Sequence, residues 1–360
     1  VFAYDVGDVK NSYIGEPTEN LVADALTMAN WGNYSAGNDG TFITEFNTTG
    51  YKIRDKNTWN GILKGITLPT PGTYTISAWF RIWGKSSGNN GINVYTNGGG
   101  ISDTAQGGDD TRIGEWQRIS MTRTYTTTSI TFFIISWGGT SGVDWSSWDV
   151  TKPQVELNSH ATQFIEGPRS TTQGLIDLTG NSSIDLANVS FDSNAQMVFD
   201  GTNDYVNMGD LPIIKLGTNF TIEAVVKPEQ DKWMYFFHKG YGQNNSLAWG
   251  RHSSGDNWFF STMINGSYQN SYMGTATLNQ YCHLAASYDG ANLRLYENGD
   301  LQATVATAHD MMTSTQPLGI GGPGRYWNGE IPVTKVYNKA LTAQEVKQNY
   351  QQYKTRFNLS

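Results

Sequence analysis

The side chains that most often bind sugars are abundant in this sequence and lie beside predicted turns. Pyranose rings stack on exposed Trp and Tyr, while Asn, Gln and Asp hydrogen-bond the sugar hydroxyls. Nine residues in or near Gly-, Asn- and Ser-rich stretches are candidate carbohydrate-binding residues: Trp249, Arg251, Trp258, Tyr268, Tyr326, Trp327, Trp137, Trp145 and Trp148. Because Trp and Tyr also fill protein cores, we expect about half of the aromatic candidates to be buried.

Catalytic patterns are weak by comparison. Glycoside hydrolysis needs two carboxylates about 5–9.5 Å apart, and Glu223 and Glu229 flank a predicted strand end with Pro228 between them. None of the five histidines lies in a nucleophile-elbow sequence, and the chain has no His-x-x-x-His or Cys-x-x-Cys zinc pattern. The sequence therefore predicts a protein that is not an enzyme.

Three acidic residues lie in loops where a cation could bind. Asp204, Asp256 and Asp289 are suited to the rim of a β-sandwich, where carboxylates and carbonyls can hold Ca²⁺. Asp is equally common as a turn former. No metal or cofactor is predicted, and Ca²⁺ is left as an open alternative.

Charge and hydropathy exclude several partners. The net charge is −8, and no cluster of Lys and Arg is visible along the sequence, so nucleic acid is not an expected partner. No run approaches the ~20 apolar residues of a membrane span, so we expect no membrane insertion. Cys282 is the only cysteine, which excludes a disulfide within the chain.

The composition predicts an all-β protein. Forty Gly, 12 Trp, 19 Tyr and 15 Phe accompany short runs of Thr, Ile and Val separated by Gly, Asn and Ser. This texture is typical of β-sandwiches with many turns. Over residues 73–82, alternate apolar side chains share one face, as a half-buried strand requires: Tyr74, Ile76, Ala78, Phe80 and Ile82.

The length of 360 residues predicts more than one domain. Residues 1–20 show no sustained alternation and are interpreted as an extended N-terminal arm or linker. Residues 21–167 are predicted to form a first β-sandwich, and residues 168–360 a second one that ends in a short helix. Thr342 and Glu345 have the spacing of a capping box at the start of that helix.

Two resemblances to known families follow from these motifs. The stretches LPTPGTYTISAWF, GEWQRISMT and VTKPQVELNSHATQFIEGPRS, within residues 21–169, resemble the carbohydrate-binding-type jelly rolls of phage tail and fibre proteins. The stretches MVFDGTNDYVNMG, FTIEAVVKP, HLAASYDGANLRLYENG and WNGEIPVTKVYNKAL, within about residues 175–350, resemble a laminin G/concanavalin A-like jelly roll. Together they imply two tandem antiparallel sandwiches.

The second resemblance also bears on catalysis. Retaining glycosidases of the concanavalin A-like fold carry a Glu-x-Asp-x-x-Glu pattern on one strand. Here the corresponding stretch reads Glu330-Ile331-Pro332-Val333, so a proline replaces the second acid. The resemblance therefore implies a binding domain.

The resemblances lead to a functional hypothesis with open alternatives. We expect a structural virion protein, such as a tail fibre, head fibre or decoration protein, that presents its sandwiches to host glycans. Expected partners are glycans or other virion proteins, in a homo-oligomer or larger assembly on a virion surface or outside the cell. The alternatives are a purely architectural protein and the non-catalytic binding portion of a secreted adhesin or polysaccharide-degrading enzyme.

Overall fold

A computed structural model describes residues 2–34, 38–55, 59–88, 91–98, 104–137, 140, 143–192, 196–210, 217–240 and 242–359. By internal contacts the chain divides into two compact units. Thr18–Arg169 form the first, which we call the N-terminal sandwich, and Val1–Pro17 with Ser170–Ser360 form the second, the C-terminal sandwich. The predicted all-β fold with tandem sandwiches and a short C-terminal helix is confirmed.

The described ranges contain 27 strands and one helix. In chain order, the strands are β1 (Phe2–Asp5), β2 (Thr18–Glu19), β3 (Gly32–Asn33), β4 (Asn38–Ile43), β5 (Thr49–Asp55), β6 (Trp59–Thr67), β7 (Gly72–Lys85), β8 (Ile92–Gly98), β9 (Thr104–Gly107), β10 (Gln117–Tyr125), β11 (Ser129–Trp137), β12 (Ser146–Glu156), β13 (Pro168–Arg169), β14 (Asp185–Asn188), β15 (Ser190–Phe191), β16 (Met197–Asp200), β17 (Tyr205–Asn207), β18 (Phe220–Pro228), β19 (Met234–Lys239), β20 (Ser246–His252), β21 (Asn257–Ile264), β22 (Ser267–Met273), β23 (Cys282–Tyr288), β24 (Asn292–Glu297), β25 (Asp300–Ala306), β26 (Leu318–Ile320) and β27 (Asn328–Tyr337). The helix, α1 (Ala343–Lys354), follows them.

The N-terminal sandwich packs two five-stranded antiparallel sheets face to face. The β7 sheet has the order β10-β7-β12-β5-β4, and the β11 sheet has the order β3-β6-β11-β8-β9. The predicted alternation along β7 is confirmed, because the five apolar residues from Tyr74 to Ile82 have at most 1% exposed surface. They meet Ile62 and Ile134 of the β11 sheet in one core.

A buried glutamate fixes the segment that follows β12 onto the β7 sheet. Glu156 has no exposed surface. Its two carboxylate oxygens accept hydrogen bonds from Thr18 Oγ1 (3.1 Å), Gln154 Nε2 (2.7 Å), and the backbone N (2.9 Å) and Oγ1 (2.6 Å) of Thr162. A buried carboxylate is tolerated only when it is hydrogen-bonded in this way. The QVE…AT motif is therefore a structural clamp in this chain.

The C-terminal sandwich packs a seven-stranded sheet against an eight-stranded one. The front sheet has the order β14-β17-β26-β19-β20-β21-β22. The back sheet has the order β15-β16-β27-β18-β23-β24-β25, and β1 also pairs with β27. A single apolar core fills the space between them, and its largest fully buried side chains include Trp249, Trp258 and Trp327.

The first residues of the chain differ from the predicted arm. Phe2–Asp5 form β1, which pairs antiparallel with β27 in the register Phe2↔Val336 to Asp5↔Val333. Phe2 and Tyr4 are buried in the core of the C-terminal sandwich. The segment alternates over only four residues, which is too short a run to be recognised as a strand by pattern alone.

The terminal helix packs on its own sandwich. Thr342 and Glu345 form the predicted capping box. Helix residues Val346, Tyr350 and Tyr353 are buried against the outer side of the back sheet. This helix of 12 residues, the one present in the described ranges, is neither long nor apolar enough to span a membrane.

A second buried glutamate lies under this helix. Glu223 on β18 has no exposed surface, and its Oε1 is 2.7 Å from Nε2 of His283 on β23, which is equally buried. Its Oε2 accepts hydrogen bonds from Tyr337 Oη (3.0 Å) and from Asn349 Nδ2 of the helix (3.0 Å). Glu223 thereby connects two strands of the back sheet to α1.

We predict that Glu223→Ala destabilises the C-terminal sandwich strongly. The substitution leaves the buried His283 and the half-buried Tyr337 and Asn349 without their shared acceptor, which costs about 3–5 kcal/mol of unfolding free energy. Chemical denaturation of the full chain measures this loss. The matched control is Glu345→Ala, which removes a partly exposed capping residue and costs about 1 kcal/mol. Equal costs for the two variants would contradict the role given to Glu223.

Candidate functional site

The outward side of the front sheet carries a continuous group of aromatic residues. Side chains alternate between the two faces of a strand, so the neighbours of core residues must face outward. Phe259 lies between the core residues Trp258 and Phe260 and is placed beside Tyr272 of β22 by the strand register. On the neighbouring strand β20, Gly250 lies opposite Phe259, and on β19 Tyr235 lies opposite Gly250. Because glycine has no side chain, none separates Phe259 from Tyr235.

These residues form an outer aromatic cluster, which we define as Trp233, Tyr235, His252, Phe259 and Tyr272. Ring centroids are 4.6 Å apart for Trp233 and His252, 5.7 Å for Tyr235 and Phe259, and 5.7 Å for His252 and Tyr272. Tyr272 is 50% exposed. The cluster therefore presents an aromatic edge to solvent on the side of the sheet opposite to the core.

Gly250 is required by the close packing under this cluster. A Cβ atom at this position would lie 1.9 Å from the carbonyl oxygen of Met234, so any side chain would collide with the neighbouring strand. The indole Nε1 of Trp233 is buried and has no hydrogen-bond acceptor within the described part of the chain.

A cavity of about 170 Å³ adjoins the cluster. Its polar lining consists of Tyr205, Asn207, His238, Gln243 and Gln316. The ring of His238 stacks on that of Tyr235, with centroids 5.6 Å apart and planes 10° apart, which joins the cavity to the cluster.

His238 is uncharged in this cavity at neutral pH. Burial disfavours the imidazolium ion and lowers the pKa of His238 from 6.5 to about 4. A neutral imidazole offers one donor and one acceptor. Together with the side-chain amides and the tyrosine rings it makes a polar, uncharged lining suited to hydroxyl groups.

Five of the nine residues predicted to bind carbohydrate are instead buried. Trp249, Trp258 and Trp327 have no exposed surface and pack in the core of the C-terminal sandwich, and Trp148 does so in the N-terminal sandwich. Arg251 is 1% exposed. The prediction for these residues is wrong because their side chains are turned away from the Gly- and Asn-rich turns near them: four of the residues lie on strands, Trp327 directly precedes β27, and all five are buried.

Arg251 has a structural role that explains its burial. Its guanidinium pairs with Asp231 at 2.8 Å and with Asp256, and its Nε donates to the carbonyl oxygen of Ala276 at 3.1 Å. All three contacts hold loops at one end of the front sheet. None of these three partners belongs to the outer aromatic cluster.

The remaining predicted residues are accessible or undescribed. Tyr268 is 47% exposed on the outward side of β22, and the half-buried Tyr326 lies 6.3 Å from the cavity residue Tyr205. Trp145 is 41% exposed in the N-terminal sandwich. The side chain of Trp137 lies outside the described residues.

Three members of the site were not predicted from sequence. Tyr235 and Phe259 are each flanked by core residues in runs of consecutive hydrophobic residues, so they resemble core positions themselves, and His238 directly follows such a run. The signal that could have identified them is the two-residue period: once Trp258 and Phe260 are assigned to the core, Phe259 must face outward.

The carboxylates considered for catalysis do not come together. Glu223 is buried under α1 with protein donors on both oxygens. Glu229 instead pairs with Lys227 at 2.7 Å, and Lys227 also contacts Glu330. The proline predicted to replace a second acid, Pro332, lies in β27.

Comparison with known proteins supports the second of the two resemblances. Residues 200–347 match the laminin G-like family model described as the concanavalin A-like lectin/glucanases superfamily. The C-terminal sandwich contains a concanavalin A-like jelly-roll domain. The match covers less than half of the chain, and no curated protein matches the sequence.

Several solved structures are similar to parts of this chain. Domain 4 of AbnA, an extracellular arabinanase from Geobacillus stearothermophilus, in complex with arabinotriose, is 17% identical, with a TM-score of 0.40 over 50% of this chain and 92% of that one. Mouse laminin alpha1 chain, domains LG4-5, is 10% identical, with a TM-score of 0.36 over 80% and 90%. Trypanosoma rangeli sialidase in complex with the inhibitor DANA is 14% identical, with a TM-score of 0.39 over 51% of this chain and only 31% of the sialidase. At these identities the likeness concerns the fold alone.

The candidate calcium ligands of the concanavalin A-like domain have local partners. Asp289 accepts from the backbone N of Ala291 and Asn292 and pairs with Arg294, and these contacts lower its pKa to about 2. Burial raises the pKa of Asp204, which accepts from a backbone N–H. Within the described ranges, no three His, Cys, Asp or Glu side chains converge on a possible metal position.

We predict that His238 stays neutral until the pH falls to about 4. Its folded pKa lies below the unfolded value of about 6.5, so the unfolded state binds more protons between these values. The stability contributed by neutral His238 is therefore complete above pH ~6.5 and is lost as the pH falls towards 4. NMR titration of the imidazole measures the pKa directly. A His238 midpoint near 6.5 would contradict the prediction.

Proposed function

We propose that the protein is a non-enzymatic adhesin whose concanavalin A-like domain binds uncharged glycans on the outer face of its front sheet. The observation that carries this proposal is that the polar cavity adjoins the outer aromatic cluster, because the cavity residue His238 stacks on the buried ring of Tyr235. Aromatic rings stack on the apolar faces of sugars, and amide, imidazole and phenol groups hydrogen-bond their hydroxyls. Both kinds of group are adjacent here.

The size of the cavity supports binding of a single sugar residue within a longer chain. Its volume of about 170 Å³ is below the ~300–1,000 Å³ of pockets that enclose drug-sized ligands. A glycan would place one residue beside Asn207 and His238 and extend towards Tyr272, which is 50% exposed, while Tyr235 and Phe259, each 1% exposed, support these residues from beneath.

The arrangement of the acids supports binding without catalysis. Hydrolysis needs two carboxyl groups placed on either side of a glycosidic bond. The described lining of the cavity contains no carboxylate. Glu223 and Glu330 are instead bound to neighbouring side chains on the back sheet.

We also infer that the protein is displayed on a virion surface as a tail fibre, head fibre or decoration protein. The support is the tandem order of a sandwich resembling phage fibre modules and a concanavalin A-like domain. Adhesins of this kind act as assemblies, because weak sites gain from multivalency. Light scattering of the full chain is expected to give a homo-oligomer, and a strict monomer at all concentrations would count against a fibre role.

We predict that Tyr272→Ala and Tyr205→Ala each weaken glycan binding by about five- to tenfold, since each loses a stacking ring worth about 1 kcal/mol. A glycan array identifies the ligand, and calorimetry with that ligand measures the loss. The control is Leu301→Ala, which removes a 52% exposed side chain from β25 of the back sheet and is expected to bind as the parent does.

A core variant separates binding from folding. Trp258→Ala is expected to cost about 3–5 kcal/mol of stability, because it empties a fully buried aromatic position. Tyr272→Ala is expected to unfold like the parent. The proposal is overturned if the parent binds no uncharged glycan, or if Tyr272→Ala and Leu301→Ala have equal effects.

A further inference from the structure

A second surface, on the N-terminal sandwich, combines exposed aromatic rings with cations. It lies on the outward side of the β7 sheet, beside the turn between β4 and β5. Trp83 is 47% exposed and Phe46 is 36% exposed, while Trp79 and Trp116 are half-buried. Phe46 packs against both Trp79 and Trp116, with ring centroids 5.8 and 5.3 Å apart.

The rings of this surface are held in place by one arginine and two acids. The guanidinium of Arg81 lies between Trp83 and Trp116, 4.6 Å from each ring centroid. It bonds Glu45 at 2.6 Å and Asp149 at 3.1 Å. The indole N–H of Trp83 donates to Asp149 at 2.9 Å, and that of Trp116 donates to Glu45. The rings are therefore preorganised, which lowers the entropy cost of binding.

Further cations reach this surface through the strand register. Asp149 of β12 lies opposite Arg81 of β7 on one side and opposite Lys52 of β5 on the other. Arg54 contacts Asp149 at 2.7 Å. Lys152 lies with its Nζ 4.2 Å from the centroid of Phe46 and 5.5 Å from that of Phe164.

The balance of charge on the surface is positive, although the chain as a whole is acidic. Four cations, Lys52, Arg54, Arg81 and Lys152, accompany two acids, Glu45 and Asp149. Lys52 and Lys152 form no ion pair within the part of the chain that the structure describes. Their ammonium groups are available to an anionic ligand.

Lys152 is placed by an unusual backbone conformation. Its φ of 50° lies in the left-handed region, which is rare for a residue with a long side chain. The strand register shifts between Thr151 and Gln154 at this point. A bulge of this kind redirects a side chain, and here it brings the ammonium group over Phe46. Strain of this type is retained most often at functional positions.

We propose that this cationic aromatic face, defined as Phe46, Trp79, Trp83 and Trp116 with Lys52, Arg54, Arg81 and Lys152, binds an acidic polysaccharide. Sugar rings would stack on Trp83 and Phe46, and their carboxylate or sulfate groups would pair with Lys52 and Lys152. This second site would bind a different class of glycan from the site on the C-terminal sandwich. It rests on the proposed function only in that its ligand is taken to be a glycan.

A glycan fits this face better than a nucleic acid does. Duplex DNA presents one negative charge per ~1.7 Å of its axis and needs many phosphate contacts. On this face two lysines lack an ion-pair partner among the described residues, two acids lie near them, and the protein carries a net charge of −8. An acidic polysaccharide carries widely spaced carboxylates, and its sugar rings can stack on aromatic side chains. It therefore matches a face on which two lysines lie beside aromatic rings.

The test is calorimetry on the full chain with polygalacturonate, its fully methyl-esterified form and oligothymidylate as probes. We expect polygalacturonate to bind and to weaken as salt rises. Trp83→Ala and Lys152→Gln are each expected to reduce affinity about tenfold. The matched control is Lys64→Gln, which removes another lysine that faces an aromatic ring but lies on β6 of the other sheet and pairs with Asp24.

Three results would overturn the proposal: no binding of polygalacturonate, equal binding of its methyl ester, or tighter binding of oligothymidylate. An equal loss in Lys64→Gln and Lys152→Gln would overturn the assigned surface. Tyr272→Ala is expected to leave polygalacturonate binding unchanged and to weaken only the uncharged glycan. Failure at one site is thereby distinguished from failure at the other, and circular dichroism confirms that each variant is folded.

Discussion

A carboxylate removed from water must receive hydrogen bonds at its oxygens, and this requirement organises the outer layers of both sandwiches. Glu156 accepts from the segment that follows β12, and Glu223 accepts from α1 and from two strands of the back sheet. Each acid lies on the outward side of a sheet, where it would otherwise face solvent. The covering segments are held because leaving either carboxylate unsatisfied would cost several kcal/mol. Both glutamates have structural roles, although an acidic residue within a hydrophobic strand can suggest a catalytic role when only the sequence is known.

The covering of some sheet faces leaves others free for binding. In the C-terminal sandwich, α1 occupies the outward side of the back sheet, and the outward side of the front sheet carries the aromatic cluster and the cavity at His238. In the N-terminal sandwich, the segment bound to Glu156 covers one end of the β7 sheet, and the cationic aromatic face occupies the other. Both candidate sites therefore lie on sheet faces whose strands pack on a core with their opposite side. Such strands are rigid, and rigid elements position side chains better than loops do.

Alternation along the strands divides the aromatic residues between the two faces of each sheet. Trp258 and Phe259 are adjacent in sequence, yet one is a core residue and the other belongs to the outer aromatic cluster. The same division separates Phe80 from Trp79 on β7. Residue type cannot distinguish such neighbours, because the hydrophobic effect favours burial of both. The distinction depends on which face of the strand meets the other sheet.

The amino-acid sequence by itself determined the all-β class, the tandem order of the sandwiches, the alternating face of β7 and the capped terminal helix. These features follow from local periods, turn residues and capping patterns, which act over a few neighbouring positions. The tertiary structure alone decided that Phe2–Asp5 pair with β27, that four candidate tryptophans are buried, and that Lys52, Arg81 and Lys152 share a surface. The reason is that strand register joins residues a hundred positions apart. No local pattern records which strands become neighbours.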